Sequence, residues 1–415
     1  MRVSQLFTKT SKTAPADEVA KNAQLLIRAG FIHKEMAGVY AYLPLGLRVL
    51  ENIKTIVREE MNGIGGQEVM MTALQPKDIF EKTDRWDDKK VDNWFKTKLV
   101  NGTELGMGLT HEEPIVDALS AYVNSYKDLP IYVYQIQNKF RNELRAKSGL
   151  LRGREFVMKD MYSLARTQEE HDELYERAAE AYHRVYKRLG IGDITYRTAA
   201  DGGIFTTRFS DEFQTLSPIG EDTIYVHEAK KVAVNQEVYT DENLARLGLN
   251  KDELVEKRAV EVGNIFPLES KYTDALDVYY IDEKGQRQSI IMGCYGIGVS
   301  RLMGVLAEHF SDDKGLVWPE NIAPAKVYLV RIGKEAATAH ADELYAQLTS
   351  KGIEVLYDDR DERPGAKFAD AELMGIPYRV TVSDRLIEAG QYEYTVRKTG
   401  ETKLLTGEDL LVKLS

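Results

Sequence analysis

The spacing of apolar residues along this chain changes after residues 318–324, a segment that contains Pro319 and Pro324. Beyond it the sequence predicts alternating elements: strand 327–332, helix 336–350, strand 353–357, helix 368–374 and strand 379–382. Such alternation is typical of a small α/β domain. Because 415 residues also exceed what one core ordinarily supports, we expect two or three domains, the last beginning near residue 325.

The preceding part has mixed α and β character. Residues 46–57 carry apolar side chains at helical spacing, which predicts a helix. Glycines at 63, 65 and 66 end that helix before a predicted strand at 68–71. An alternating run at 131–137, a basic loop and an apolar run at 156–158 predict a β-hairpin. An amphipathic helix is expected at 168–189.

Residues 228–260 differ from their surroundings, since they are charged and only weakly periodic. Short helices are expected at 241–247 and 251–258, and the stretch is interpreted as a small inserted element.

Composition excludes several classes of protein. With 55 Lys and Arg against 66 Asp and Glu, the net charge of -11 rules out bulk basicity as the means of binding nucleic acid or membranes. The sequence has no apolar stretch long enough to cross a bilayer and no recognisable secretion signal, so the cytoplasm is the expected compartment. One cysteine and seven histidines without ligand spacing predict neither a disulfide nor structural zinc.

The basic loop of the hairpin carries the densest chemical signal. Arg141 at a strand end is suited to clamp a phosphate, and Glu143, two residues on, points to the same face and is suited to accept from an exocyclic amine. Together with Phe156 they suggest a nucleotide site. A solvated hairpin with surface ion pairs is the alternative.

Glycines at 293, 296 and 298 mark a junction between a strand and a helix, and Arg301 follows one turn later. Close approach to a ligand, with a cation for a distal phosphate, is one interpretation. Tight packing is the other, because the run matches neither a P-loop nor a dinucleotide-binding motif.

Thr110, Glu112 and Glu113 open a predicted helix. A hydroxyl and a carboxylate facing a pocket would bind a cationic amine. The same residue types also form an ordinary N-terminal cap.

In combination these motifs resemble the class II aminoacyl-tRNA synthetases and, within them, the bacterial-type prolyl-tRNA synthetases. The resemblance covers nearly the whole chain and also rests on residues 38–46, 154–160, 261–266, 358–370 and 375–377. It implies an α/β (α+β) protein with an antiparallel catalytic sheet, flanking helices and a C-terminal mixed α/β anticodon-binding domain. The expected divisions are 1–227 and 261–324 for the catalytic domain, 228–260 for a short insertion, and 325–415 for the anticodon-binding domain.

The resemblance also implies the site residues for ATP. Arg141 would bind the α-phosphate, Glu143 the adenine amine and Arg301 the γ-phosphate. Phe156 would stack on adenine, Arg152 would also contact ATP, and Glu261 would link the protein to ATP-bound Mg²⁺.

For L-proline, the resemblance implies that Thr110 and Glu112 hold the imino group. The pocket for the ring would be shaped by Met158, Glu212, Phe213 and Cys294. Proline would attack ATP to give prolyl-adenylate and then pass to tRNA(Pro), with Arg141, Glu143 and Arg301 as the catalytic residues and no covalent enzyme intermediate.

In the C-terminal domain, Arg360, Arg363 and Lys367 are expected to contact tRNA bases or phosphates. A surface ion-pair network remains an equally good interpretation of each. A homodimer is expected from the family.

Some positions depart from the family pattern. Thr72 and Leu109 stand where proline is usual, and Asp211 and Asn264 stand where histidine is usual. The last two are expected near the amino-acid and ATP sites. No full editing domain fits into 228–260, so we expect no cis editing of alanyl-tRNA, and correction would need a separate trans-editing protein.

Two other functions remain as alternatives. One is a catalytically impaired synthetase paralogue that binds tRNA, which would have no physical need for the full set of ATP residues. The other is a class II enzyme for threonine, for which zinc ligands would be expected.

Overall fold

The computed structural model describes residues 1–146, 148–203, 205–206 and 208–414. They form two compact units. Of the described residues, unit 1 comprises 1–53, 148–150 and 303–414, and unit 2 comprises 54–146, 151–203, 205–206 and 208–302.

The helices are α1 (Lys21–Arg28), α2 (Pro44–Gly63), α3 (Lys77–Glu81), α4 (Glu112–Ser120), α5 (Gln168–Arg188), α6 (Asp241–Arg246), α7 (Lys271–Ala275), α8 (Val299–His309), α9 (Glu335–Ser350), α10 (Pro364–Met374), α11 (Asp384–Glu388) and α12 (Gly407–Leu414).

The strands of the first half are β1 (Ile32–Met36), β2 (Val39–Tyr42), β3 (Gln67–Glu68), β4 (Leu74–Pro76), β5 (Lys96–Lys98), β6 (Glu104–Met107), β7 (Ile131–Phe140), β8 (Glu155–Ala165), β9 (Thr195–Asp201) and β10 (Phe209–Leu216). Those of the second half are β11 (Asp222–His227), β12 (Val232–Asn235), β13 (Val255–Glu269), β14 (Tyr279–Ile281), β15 (Arg287–Ser289), β16 (Ile291–Gly298), β17 (Ser311–Asp312), β18 (Gly315–Leu316), β19 (Val327–Ile332), β20 (Val355–Asp358), β21 (Tyr378–Ser383), β22 (Tyr392–Val396) and β23 (Thr402–Leu405).

Unit 2 is built on a sheet in the order β10-β9-β12-β11-β13-β16-β8-β7-β3. Its pairs are antiparallel except for β3 with β7 and β9 with β12. The predicted hairpin is confirmed as β7 and β8, which are longer than the sequence indicated. The expected strand at 68–71 is wrong beyond its first residue, because β3 ends at Glu68.

Five strands of this sheet close into a ring. β10 pairs with β9, β9 with β12, β12 with β11 and β11 with β13, while β13 returns to pair with β10. The charged segment 228–260 supplies β12, α6 and the start of β13 to this ring. Of the helix expected at 251–258, only a single 3₁₀ turn forms, at Lys251–Glu253. The rest of the expectation is wrong: residues 255–258 pair with β11, and this ladder overrides their helical propensity.

Helix α5 packs against the sheet and shows how the sequence sets its ends. Thr167 caps it by accepting from the Glu170 N–H, and Glu169 lies in its first turn. Lys187 and Arg188 lie in the last turn, where their positive charges interact favourably with the negative end of the helix dipole. Buried residues at helical spacing, such as Leu174 and Val185, face the sheet.

Unit 1 contains a five-stranded sheet in the order β20-β19-β21-β22-β23. The first three strands are parallel and the last two pairs are antiparallel. The strands and helices predicted beyond residue 325 are confirmed to within four residues at their ends. Helix α10 begins at Pro364, whose fixed φ suits a first turn, and ends at Met374; the following residue, Gly375, caps it with a φ of 72°, which favours glycine.

Candidate active site

Neighbouring strands of unit 2 place most of the predicted catalytic-site residues on one face of the sheet. Successive side chains alternate between faces, so Met158 and Asp160 share a face while Lys159 points to α5. Cys294 of β16 lies opposite Tyr162 of β8 in the ladder. This face also receives α4, which carries Glu112.

Glu112 is the centre of the first cluster and is fully buried. Its carboxylate accepts from the Thr110 hydroxyl at 2.5 Å, from Arg85 Nη1 at 3.2 Å and from Cys294 Sγ at 3.2 Å. Burial favours the neutral acid, but the Arg85 charge and the hydrogen bonds outweigh it and hold the pKa of Glu112 below its usual value. The site therefore presents a buried anion.

This arrangement corrects the capping interpretation. The residue that precedes α4 is His111, and no side chain caps the helix there. Thr110 donates its hydroxyl to the Glu112 carboxylate instead of accepting a backbone N–H. The predicted pair of Thr110 and Glu112 is thus brought together with Cys294.

Arg85 was missed by sequence reasoning. Its guanidinium is buried and donates to both oxygens of Glu113, at 3.1 and 3.0 Å, as well as to Glu112. It also faces the rings of Phe205 and Tyr272, at 5.2 and 5.5 Å. The available signal was indirect, because two adjacent acids on a buried helix require a cation from elsewhere.

Glu113 differs from Glu112 although both contact Arg85. Burial raises the pKa of Glu113, and the neighbouring Glu112 charge adds to this effect. The Thr83 hydroxyl donates to its Oε1 at 2.7 Å. One guanidinium therefore faces two carboxylates, which leaves the cluster with excess negative charge whenever both are ionised.

A buried polar network fixes the turn before α4. Lys139 Nζ donates to Asp160 Oδ2 at 2.9 Å and to His111 Nδ1 at 2.7 Å. Burial and then the Lys139 charge lower the pKa of His111 to about 4, so its ring is neutral at pH 7. Since Nδ1 accepts from Lys139, Nε2 carries the proton and donates to the Thr72 carbonyl at 3.0 Å.

A second cluster contains the residues expected to bind ATP. The Arg141 guanidinium lies 5.2 Å from the centre of the Phe156 ring, and the two strands remain joined here by the Arg141 N–H to Arg154 carbonyl bond. Burial, and then the charge of Arg301, lowers the pKa of Arg141. The positive charges of Arg141 and Arg301 thus influence the same region of the site.

Arg301 is held at the first turn of α8. Its Nε donates to the Leu151 carbonyl at 2.8 Å, and its Nη1 donates to the Glu261 carbonyl at 2.5 Å and to Glu261 Oε2 at 3.2 Å. Asn264, one of the departures, donates to Glu261 Oε1 at 2.7 Å. Asn264 therefore orients Glu261.

Glu143 and Arg152 form the outer wall of this region. Arg152 Nε donates to Glu143 Oε2 at 3.0 Å, and its Nη1 donates to Glu221 Oε2 at 3.1 Å. A cleft of 360 Å³ is lined by these three residues together with Leu144 and Arg145. The hairpin loop thus has the surface ion pairs that the solvated-hairpin alternative predicted, and it also lines a cleft.

Glu212 lies in an acidic cluster on the site face. Its Oε2 accepts from Gln214 and Asn235, at 2.8 and 2.9 Å, and the same Gln214 amide donates to Asp222 at 2.9 Å. Burial and then the charge of Glu261 raise the pKa of Glu212 to about 8. Gln214 and Asn235, which donate to Glu212, do not contact Glu112 through any of the bonds that hold its carboxylate.

The structure does not bring Phe213 or Asp211 to the face that carries Glu212: both lie on the opposite face of β10. Phe213 is fully buried against α5, with its ring centre 5.0 Å from that of Tyr182. Asp211 pairs with Arg197 at 2.7 Å and accepts from the Tyr175 hydroxyl at 3.0 Å. Strand alternation separates both from the adjacent Glu212.

Comparison with known proteins identifies the group to which this arrangement belongs. Residues 95–310 match the tRNA synthetase class II core domain (G, H, P, S and T), and residues 326–415 match an anticodon binding domain. The chain is 39% identical to the proline–tRNA ligase of Hyphomonas neptunium, over 100% of this chain and 99% of that protein. The chain belongs to the prolyl-tRNA synthetase family.

Other family members differ from this prolyl-tRNA synthetase family member in length. The Geobacillus kaustophilus proline–tRNA ligase is 35% identical over 97% of both chains. That alignment has 554 positions, 139 more than the 415 residues of this chain. The alignment with the Hyphomonas relative has 441 positions, so this chain is of the shorter kind.

Solved structures agree with this prolyl-tRNA synthetase fold. The crystal structure of the Cryptosporidium parvum prolyl-tRNA synthetase with L-proline and AMP superposes with a TM-score of 0.76. It is 18% identical, and the match covers 94% of this chain and 73% of that one. At this identity the comparison establishes the fold.

In the anticodon-binding domain of this family member, the three predicted tRNA-contacting cations have different surroundings. Arg360 forms a bidentate pair with Asp358 and also reaches Asp370 at 2.7 Å. Arg363 is exposed. Lys367 is only 1% exposed, and its ammonium donates to the carbonyls of Arg331 and Asp358.

Two further findings concern the residues that the structure describes in this prolyl-tRNA synthetase. None of their helices is both long and apolar enough to cross a bilayer. Among the same residues, no group of three or more His, Cys, Asp or Glu side chains is arranged to hold a metal ion.

Proposed function

We propose that this chain is a proline–tRNA ligase, which activates L-proline with ATP and transfers it to the 3′ end of tRNA(Pro). The observation that carries the proposal is the buried Glu112 anion, held by Thr110 and Cys294 on the same sheet face as Arg141. An anion for an imino group beside cations for phosphates is what this reaction requires. Full-length similarity to proline–tRNA ligases supports the same conclusion.

The Glu112 cluster binds the amino acid. Glu112 and Thr110 accept from the protonated imino nitrogen, while Cys294 and the half-buried Met158 form walls for the ring. Cys294 is a pocket wall rather than a nucleophile, because burial and the adjacent Glu112 raise the pKa of its thiol far above the usual value. Glu212, also expected to shape the ring pocket, lies farther along the face and accepts from Gln214 and Asn235.

The second cluster binds ATP. Arg141 contacts the α-phosphate, Arg301 the γ-phosphate, and Arg152 helps to close the cleft. Adenine stacks on Phe156, and Glu143 accepts from its amine. Arg141 is presented by the strand end and Arg301 by a tethered first turn of α8, so both charges are positioned before the reaction begins.

Activation proceeds by in-line attack of a proline carboxylate oxygen on the α-phosphorus. The new P–O bond gives prolyl-adenylate, and the bond to the β-phosphate oxygen breaks to release pyrophosphate. A ribose hydroxyl of the terminal tRNA nucleotide then attacks the prolyl carbonyl and AMP leaves. Arg141 and Arg301 stabilise the charge that develops on the phosphates.

Magnesium enters as part of the ATP substrate. Glu261 offers carboxylate oxygens of the kind this hard cation prefers. Burial, and then the charge of Glu261, raises the pKa of the nearby Glu212, so this region would accommodate a cation. The phosphates of ATP would supply the remaining ligands.

We assign catalysis to residues 1–227 and 261–324, a short insertion to 228–260 and tRNA anticodon binding to 325–415. Arg363 is the exposed cation in the expected tRNA-binding set. Arg360 and Lys367 shape the loop beneath it. We expect a homodimer that acts in the cytoplasm.

Editing of alanyl-tRNA in cis is absent from this proposal. The segment 228–260 is occupied by strands and short helices of the closed ring, and the chain lacks the additional positions of the longer Geobacillus relative. Alanine would be rejected only through lost apolar contact, about 1–3 kcal/mol. A separate trans-editing protein would then hydrolyse mischarged tRNA.

ATP–pyrophosphate exchange with purified protein tests the proposal. Proline should support exchange, threonine should not, and alanine should support it weakly. Absence of exchange with every amino acid tested, in a folded protein that still binds tRNA, would favour the impaired paralogue. Rapid release of alanine from alanyl-tRNA by this chain would contradict the absence of cis editing.

A further inference from the structure

The segment formed by residues 2–10 lies against the C-terminal sheet of unit 1. Arg2 forms an isolated parallel bridge with Tyr357 at the end of β20. Its guanidinium lies over the rings of Tyr345 and Tyr357, 5.4 and 4.8 Å from their centres, and pairs with Asp342 at 2.9 Å. The segment is therefore joined to the strand that leads into the expected tRNA-binding loop.

That loop, residues 359–363, begins with a carboxylate that the segment binds directly. Asp359 Oδ1 accepts from the Ser4 backbone N–H at 3.0 Å. Its Oδ2 accepts from the Ser4 hydroxyl at 2.7 Å and lies 3.4 Å from Arg2 Nη1. Three donors from the segment thus converge on one side chain.

A second contact acts on the same loop through helix α10. The Thr10 hydroxyl donates to Asp370 Oδ1 at 2.6 Å. The other oxygen of Asp370 accepts from Arg360 at 2.7 Å, and Arg360 is also held by Asp358. The hydroxyl of Thr10 therefore acts on Arg360 through one intervening carboxylate.

The loop backbone is fastened from below as well. Arg331 Nη2 donates to the carbonyls of Asp359 and Arg360, both at 3.1 Å. Residues 361–363 remain exposed above these anchors. A loop fixed at its base with an exposed tip is suited to present Arg363 and its neighbours to RNA in one conformation.

We propose that Arg2, Ser4 and Thr10 are positioning residues for tRNA recognition: they hold Asp359 and Asp370 so that the loop 359–363 is ordered before tRNA binds. The proposal rests on the proposed function of this domain in anticodon binding. It assigns to the start of the chain a role in the tRNA step alone. Activation of proline should therefore not depend on it.

The first test is the full-length triple variant Arg2→Met, Ser4→Ala and Thr10→Val. We expect the KM for tRNA in aminoacylation to rise about tenfold, since an unordered loop must be ordered on binding. The rate of ATP–pyrophosphate exchange should stay within about twofold of the parent, because no residue of that site is altered. The matched control is Lys9→Met with Lys12→Met, two exposed cations near the same segment.

The second variant, Asp359→Asn, distinguishes a role in positioning the loop from a purely electrostatic effect on tRNA binding. Asp359→Asn removes a negative charge from the expected RNA-binding surface, so electrostatic attraction alone would lower the KM for tRNA. Loss of the acceptor for Ser4 and Arg2 should instead raise it about fivefold. This single substitution also serves if the triple variant does not fold.

The outcomes are distinct. A tRNA KM that is unchanged in the triple variant, lowered in Asp359→Asn, or raised equally in the lysine control would overturn the proposal. Absence of proline-dependent exchange in the parent would instead overturn the proposed function. In that case, tRNA binding measured by filter retention still decides whether the segment orders the loop.

Discussion

Arg85 Nη1 lies 3.2 Å from Glu112 Oε2, inside the protein and at the centre of the candidate amino-acid site. The same guanidinium holds Glu113, so one buried cation fixes two buried carboxylates. Its charge keeps Glu112 an anion, as the proposed binding of the imino group requires. The carboxylate proposed to bind the substrate is thus held by a residue 27 positions earlier in the chain.

Replacement of Arg85 by Met should destabilise the fold. Two buried carboxylates would lose their counter-charge, which costs about 3–5 kcal/mol in the free energy of unfolding. The double variant Arg85→Met and Glu113→Gln should recover part of this loss, because one buried charge is removed with its partner. Urea unfolding measures both, with Lys82→Met, an exposed cation nearby, as control. Equal stability of Arg85→Met and the control would contradict the role of the pair.

Replacement of Glu112 by Gln should impair proline binding specifically. The amide keeps the shape of the side chain but removes the anion, and a buried charge pair with one partner lost costs about 2–5 kcal/mol. In exchange assays the kcat/KM for proline should fall by at least about 30-fold. The KM for ATP should change little. A proline KM equal to that of the parent would show that the imino group binds elsewhere.

The thiol of Cys294 should be unreactive in the folded protein. It is 7% exposed and donates to Glu112, and its raised pKa keeps it protonated at neutral pH. Iodoacetamide at about pH 7.5 should therefore add to the urea-unfolded chain but not to the native one. Mass spectrometry detects the adduct unambiguously because the chain has one cysteine. Rapid labelling of the native protein would contradict this burial.

Lys159 should make stability depend on pH. It is fully buried against Tyr182 and the Tyr295 carbonyl, and burial lowers its pKa to about 7. Between that value and the ordinary pKa near 10.5, the unfolded chain binds more protons than the folded one, so stability rises with pH across this window.

The variant Lys159→Met isolates this contribution. The slope, about 1.4 kcal/mol per pH unit for one proton, should disappear in the variant when denaturant midpoints are compared between pH 7 and 10. Lys187→Met, which removes an exposed lysine of α5, is the control and should keep the slope. An identical slope in Lys159→Met would mean that this ammonium stays charged in the fold.

Strand alternation explains both what the sequence predicted and what it missed. Thr110, Glu112 and Cys294 meet as expected, and Arg141 reaches Phe156 across the hairpin. The adjacent residues Glu212 and Phe213, however, were expected in one pocket and lie on opposite faces. Sequence proximity identified the motif, but the period of two along a strand determines which of its members face the site.

Prediction from the sequence was also limited for buried cations whose partners lie far away in the chain. Arg85 lies in a charged stretch that is typical of a surface, and Lys367 follows a loop of charged residues, yet both are buried. Their partners are separated from them by up to 36 positions in the chain. No local pattern contains that pairing, so only the fold identifies it.

The ring of β9 to β13 has a consequence for how this chain tolerates change. An exposed strand edge invites pairing with other chains, and closure removes that hazard for these five strands. Additional residues are therefore accommodated with least disturbance in the connection 236–254, which lies between β12 and β13 in the chain and belongs to neither strand. A folded module grafted there would extend outward without opening the ring, whereas an insertion within β12 would expose unpaired strands to aggregation.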